Sequence, residues 1–195
     1  MADAPPGTPP SATVVARAVA DALQRAGVPY AIGGAIALGL HAPPRATNDV
    51  DVTAFVGVDG LGPVMDALER DGGRIHDRAG ALASAAERGD FRVDWGGLRV
   101  DVFVPSIPFY RLVAERVRSA SLGGRPIQVL SPEDLAVFKL LFFRGKDLVD
   151  LERLVAFQGA ALDAAYVRDA LVDIVGASDA RVVRWDQIVR AYGSV

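Results

Sequence analysis

The sequence predicts an α/β (α+β) fold, a small mixed sheet backed by helices and followed by a helical C-terminal half. Three patterns point there. Residues 30–55, YAIGGAIALGLHAPPRATNDVDVTAF, read as a short apolar strand, a Gly33-Gly34 turn, a short helix, a loop and a second strand. Residues 90–104 read as a β-hairpin, DFRVDW and LRVDVFV flanking a Gly96-Gly97 turn. After residue 130 the apolar spacing is helical almost to the end of the chain.

In chain order, residues 1–12, MADAPPGTPPSA, are rich in proline and small residues and predict a disordered leader. Residues 13–105 form the expected core, and residues 106–195 a mostly helical region packed on it. A helix runs from Thr13 with Val15, Val19, Ala22 and Leu23 inward, and Gly27 and Pro29 stop it. After the strand at Phe55, Leu61 to Arg70 reads as a helix with Val64, Met65 and Leu68 inward, ended by Gly72-Gly73. Residues 74–90 stay open between a short element near Ala79–Arg88 and a mobile loop. Phe109 to Val117 reads as a helix, then 120–130, ASLGGRPIQVL, as a small hairpin turning at Gly123-Gly124. Arg111, Arg116, Arg118 and Arg125 make this segment locally basic, the best place for a polyanion contact such as an RNA backbone.

Ser131 and Pro132 start the next helix as N-cap and first residue, with Leu135, Phe138, Leu141 and Phe142 as its stripe. Lys139 is embedded there, and an ammonium in apolar surroundings needs an anionic partner or a route to water. Gly145 breaks this helix from one beginning near Lys146, on which Asp147 and Asp150 share a face. Two more amphipathic helices follow, Tyr166–Val175 on Val167, Leu171 and Ile174, and Ala180–Tyr192 on Val182, Trp185, Ile188 and Val189.

With 195 residues, 51% of them apolar and 23% charged, the chain can bury a real core. It has no cysteine, which excludes disulfides, thiolate nucleophiles and Cys-ligated zinc. His41 and His76 stand alone, so no histidine-rich metal site is expected. A formal charge of −3 argues against broad nonspecific nucleic-acid binding. No apolar run approaches the ~20 residues of a membrane span, and cytoplasm is the expected location.

The chemistry gathers around Asp49 and Asp51. Alternate residues of a strand share a face, so Asp49, Asp51 and Thr53 point one way and Val50, Val52 and Ala54 the other. Two carboxylates ~4 Å apart repel by roughly 4 kcal/mol at an effective dielectric near 20. Hard divalent cations with oxygen ligands, Mg²⁺ above all, relieve this. Gly33-Gly34, just before a helix, offers backbone N–H groups that can approach phosphate. In the hairpin, a two-residue turn pairs Arg92 with Asp101 and Asp94 with Arg99, placing all four on the polar face beside Asp49 and Asp51. Asp101 is the expected third carboxylate. A cross-strand ion pair to Arg92 is its plain alternative, and Asp94 takes its place if the register slips by one.

Gly33-Gly34, Arg45, Thr47, Asp49 and Asp51, in this order and spacing, resemble the nucleotidyltransferase-fold superfamily. The resemblance is closest to the small bacterial branch that includes the AbiEii-type toxins. The run from Ser131 through Lys139, Arg144, Lys146-Asp147 and Asp150 resembles the same branch, so the likeness covers roughly residues 28–155. It implies a nucleotidyltransferase using a nucleoside triphosphate, with two Mg²⁺ ions on Asp49, Asp51 and Asp101. It further implies nucleotide contacts from Gly33, Gly34, Arg45, Thr47 and Lys139, and a helper acid at Asp147 or Asp150. Thr47 is open between a partner of Asp49 and a plain loop residue, and Lys139 between phosphate and its own salt bridge to those acids. Implied acceptors are tRNA or protein, with a cognate antitoxin as partner. The alternatives are a small-molecule nucleotidyltransferase of the aminoglycoside or lincosamide type, and a non-catalytic nucleotide-binding scaffold. Many active members carry Gly-Ser in place of Gly33-Gly34, so backbone groups must replace a serine hydroxyl here.

Overall fold

The computed structural model describes residues 10–193. Most of the expected leader, residues 1–9, lies outside that range. Ala12 is already helical, because the Ser11 side chain accepts the Val14 N–H and starts helix α1, Ala12–Arg25. Its inward face is the expected one, with Val15, Val19, Ala22 and Leu23 all buried. Gly27 follows in the left-handed region, at φ +67°, and turns the chain into the sheet.

Strand β1, Tyr30–Ile32, runs directly into helix α2, Gly34–His41, and a loop returns to β2, Asp49–Ala54. Helix α3, Leu61–Arg70, buries Val64, Met65 and Leu68. The open stretch resolves as α4, Arg78–Arg88, capped by Asp77 and closed by Gly89 at φ +79°. Its buried face consists only of Ala81 and Ala85, too weak an apolar signal to read from the chain. Strands β3, Asp90–Trp95, and β4, Leu98–Phe103, form the expected hairpin in the expected register, Arg92 opposite Asp101 and Asp94 opposite Arg99.

Helix α5, Phe109–Glu115, stops short of Val117, and β5, Arg118–Leu122, and β6, Arg125–Val129, follow. This second hairpin is not an appendage of the helical half. Strand β6 lies parallel to β1, so the six-stranded sheet has the order β3-β4-β2-β1-β6-β5 and spans the boundary expected at residue 105. The reason is backbone valence: β1 is fully buried and needs a partner on each edge, and β6 supplies the second, with the Leu130 N–H donating to the Ile32 carbonyl at 3.0 Å.

Helices α6, Pro132–Phe142, and α7, Gly145–Gln158, turn at Phe143, which sits at φ +53°. They pack with α8, Ala164–Val175, and α9, Ala180–Tyr192, around Leu140, Leu151, Leu171 and Trp185. The stripe expected on α6 is corrected. Leu135, Ala136, Val137, Lys139 and Leu140 are buried, whereas Phe142 is 46% exposed. An enclosed helix has no polar face to reveal its orientation, and the side bearing Phe142 opens on a cavity.

Candidate active site

Strand β2 alternates as expected: Val50, Val52 and Ala54 are fully buried, and Asp49 and Asp51 look out from the opposite face. Thr53 shares the acids' face but is covered. Strand β4 lies parallel to β2, with Asp51 beside Asp101 and Asp49 beside Arg99. Asp49, Asp51 and Asp101 therefore line one small cavity with Gly34, Lys139 and Lys146, of about 60 Å³. Asp94 stands one strand further out and accepts the N–H of Gly97 within its own turn.

The acids differ in environment. Burial, then the charges of Asp49 and Asp101, push the Asp51 carboxyl up to about 6, against smaller opposing effects of Lys139 and Lys146. Burial also raises Asp49, but the Thr47 hydroxyl and the charges of Lys146 and Arg99 outweigh it and hold Asp49 below the usual carboxylate range. Thr47 is thereby placed, since its hydroxyl donates to the Asp49 carboxylate. Among the described residues no hydrogen-bond donor reaches the Asp51 carboxylate, and Asp49 and Asp101 share one guanidinium: Arg99 lies 2.8 Å from the first and 3.0 Å from the second. Arg92 holds the other oxygen of Asp101 at 3.1 Å.

The Gly-Gly turn presses on these acids. A Cβ on Gly34 would lie 1.7 Å from the Asp51 carboxylate, and Gly34 has φ +54°, so no other residue fits without moving Asp51. Gly34 and Ala35 are the first residues of α2, where N–H groups have no acceptor within the helix. The Gly33 N–H, expected to meet phosphate, is instead donated to the Asp51 carbonyl at 2.8 Å.

The expected phosphate cations are also engaged. Lys139 is buried and lies 2.6 Å from Asp150 and 3.6 Å from Asp147. Arg45 grips Asp150 through two nitrogens, at 2.8 and 3.0 Å. Asp147, 2.6 Å from Arg144, also accepts the Arg144 N–H and so caps α7. Asp150 is thus the tighter partner of Lys139. Lys139 still lines the cavity beside Asp51, as does Lys146, which has no ion-pair partner among the described residues. Nothing in the sequence distinguishes Lys146 from a surface lysine except its place next to Asp147. A second, mostly apolar cavity of about 50 Å³ runs beneath Asp51 to Tyr110, Leu130 and Phe138. Its rim carries Phe103 and Phe142, 5.8 Å apart, with Arg144 over the Phe142 ring.

The basic segment expected around Arg111–Arg125 is not a free patch. Arg116 and Arg118 pair with Glu133 of α6, and Arg125 with Asp21 of α1, leaving only Arg111 of the four without an ion pair among the described residues. His41 is bonded to the Leu130 carbonyl at 2.8 Å, and His76 lies away from the acids in the groove between α4 and β3.

As donors, Asp49, Asp51 and Asp101 fit a hard divalent cation: all are oxygens, Asp51 is raised by burial and then by its like-charged neighbours, and it lacks a counter-cation in contact. Among the described residues no three acids or histidines converge as a ready-made cage, and the Arg99 guanidinium stands between Asp49 and Asp101.

No sequence-family model matches the chain, and no curated protein matches it in sequence. Solved structures do match, and they show its fold: the chain has the nucleotidyltransferase fold. The antibiotic-resistance factor ANT(2'')-Ia in solution is similar with a TM-score of 0.62 at 16% identity, over 83% of this chain and 90% of that one. The same factor in a crystal with adenylyl-2''-tobramycin gives 0.51 at 16% identity, over 92% and 98%. An antigenic nucleotidyltransferase-like protein from Paracoccidioides brasiliensis gives 0.53 at 18% identity, over 96% and 97%.

Proposed function

We propose that this chain transfers a nucleoside monophosphate from a nucleoside triphosphate to an acceptor hydroxyl, with Mg²⁺ as cofactor. The observation that carries the reading is the placement of Asp51 beside Asp101 on parallel strands, with Asp49 two residues away and Gly34 pressed against Asp51 at the start of α2. Acids that repel one another beside unpaired amide groups suit a metal-bound triphosphate.

Asp49, Asp51 and Asp101 would hold Mg²⁺, two ions in this reading, and the bound cation supplies charge neutralisation at the α-phosphate and a lower pKa for the attacking hydroxyl. The acceptor oxygen attacks the α-phosphorus, and the bond from phosphorus to the oxygen bridging the β-phosphate breaks. Pyrophosphate leaves with that electron pair, and Asp101 takes the hydroxyl proton. The N–H groups of Gly34 and Ala35 meet phosphate oxygens, in place of the Gly33 N–H. Lys139 has three N–H donors, so it reaches phosphate while still held by Asp150 and Asp147. Arg45 acts through Asp150, fixing the acid that aims Lys139, and Thr47 acts through Asp49.

A toxin-like enzyme of the AbiEii-type branch, with tRNA or protein as acceptor and a cognate antitoxin, is the first version to test. The pairing of Arg116, Arg118 and Arg125 removes one argument for RNA. Small-molecule transfer is the second version, favoured by the likeness of fold to ANT(2'')-Ia. A groove of about 560 Å³ along β3, which shares Arg99 with the acid cavity, is the proposed acceptor approach, and it mixes Arg88, Arg92 and Arg99 with Asp77, Asp90 and Asp94. The test is transfer of label from each α-labelled nucleoside triphosphate into bulk tRNA and cell extract, with Asp49→Asn as control. Label in RNA or protein that disappears in the control supports the first version, and label only in small molecules the second. No label anywhere, from folded protein, leaves a non-catalytic scaffold.

A further inference from the structure

We propose that Arg99 is a built-in counter-cation of the acid cluster, which a divalent metal must displace in order to bind. This rests on the reading of Asp49, Asp51 and Asp101 as metal ligands. In the parallel pairing of β2 with β4, Arg99 lies directly opposite Asp49 and on the same face as Asp101, two residues along its own strand. Its Nη2 is 2.8 Å from Asp49 and its Nε 3.0 Å from Asp101, so one planar guanidinium joins the two outer acids. A metal ion drawing on the same two carboxylates needs the space and the lone pairs that Arg99 now holds. The two cations exclude each other.

Arg99 also has somewhere to go. Its side chain is 45% exposed, and the antiparallel pairing with β3 puts Asp94 directly across from it on the same polar face. Arg99 and Asp94 both line the groove between β3 and α4. Rotation of the arginine away from Asp49 and Asp101 therefore exchanges one set of carboxylate partners for another, without burying or stranding its charge. Arg92 differs in kind. It touches Asp101 alone, through the oxygen that Arg99 does not use. The result is a site kept charge-balanced and closed to weakly bound cations until metal, or metal carried by a nucleotide, arrives at sufficient concentration.

The test is direct Mn²⁺ binding to the full chain without nucleotide, by calorimetry or by electron paramagnetic resonance of the free ion. The proteins are wild type, Arg99→Gln, Arg92→Gln and Asp51→Asn, each confirmed as folded by circular dichroism. Arg99→Gln should bind Mn²⁺ about tenfold more tightly than wild type, the scale of two partly exposed ion pairs no longer competing. Arg92→Gln removes an equal charge without opening the bridge, and should tighten binding by no more than about threefold. Equal or weaker binding by Arg99→Gln, with wild-type binding still abolished by Asp51→Asn, overturns the counter-cation while leaving the metal site intact. Equal tightening by both arginine variants overturns it as well, since that is a general effect of charge. Binding unaffected by Asp51→Asn in every protein removes the metal site itself, and the proposal with it. A second readout needs no variant: Mn²⁺ should increase the labelling of Arg99 by phenylglyoxal in wild type, and unchanged or decreased labelling counts against displacement.

Discussion

Asp51→Asn should abolish transfer and, in the metal-free protein, make the fold more stable. The carboxyl moves from an ordinary value of 3.8 to about 6 on folding, because burial and the charges of Asp49 and Asp101 disfavour its ionised form. A pKa raised in the folded state means that the folded protein binds the proton more tightly than the unfolded chain. Stability is then greatest below the unfolded value and falls as pH rises from about 4 to about 6. At 1.36 kcal/mol per unit, the ionised carboxylate costs roughly 3 kcal/mol at neutral pH, and asparagine of the same shape carries no such penalty. For a chain of this size 1 kcal/mol corresponds to about 2–4 °C in Tm, so a gain of roughly 6–12 °C is expected. The assay is thermal unfolding with EDTA across pH 4 to 8, followed by circular dichroism. The gap between variant and wild type should close towards pH 4. A variant no more stable than wild type at pH 7, or a gap that does not depend on pH, would refute the electrostatic reading of the site.

Other perturbations test its neighbours. Gly34→Ala puts a methyl group into the space of the Asp51 carboxylate at a positive φ, and should cost about 1–3 kcal/mol of stability together with most of the transfer, read by denaturant melts and label incorporation. Asp150→Ala leaves Lys139 and Arg45 without their shared acid, and should destabilise by about 3–5 kcal/mol. The double variant Asp150→Ala with Lys139→Met should recover part of that loss in the same melts. Lys146→Ala should weaken binding of a nonhydrolysable triphosphate by about tenfold while leaving Tm within 2 °C or so of wild type, since Lys146 is solvent-exposed and has no ion pair to lose.

Much of the acid cluster was legible because strands write their faces into the sequence with period two. Asp49 and Asp51 alternate with valines that are fully buried, and the two-residue Gly96-Gly97 turn is enough to set Arg92 opposite Asp101. Hairpin register is local information, and so is the helix stop at Gly27. The interior of α6 was not legible, because its partly open side carries Phe138, Leu141 and Phe142, which are as apolar as Leu140 in the core. Helix α4 was ambiguous for the opposite reason, since its contact with the sheet is made by alanines.

By itself the sequence determined the class of fold, the strand and helix that bracket Gly33-Gly34, and the facing of Asp49, Asp51 and Asp101. All of these follow from spacing within a few residues. Beyond the local Arg92–Asp101 and Lys139–Asp150 pairs, only the tertiary structure decided which charges meet. Arg45 joins Lys139 on Asp150, an acid 105 positions from Arg45 in the chain, and Arg116 and Arg118 are spent on Glu133. It also placed β6 against β1 and gave Arg99 two carboxylates to bridge. Ion pairing acts over a few ångströms with no regard for sequence distance, so it becomes readable only once the sheet has brought its strands together.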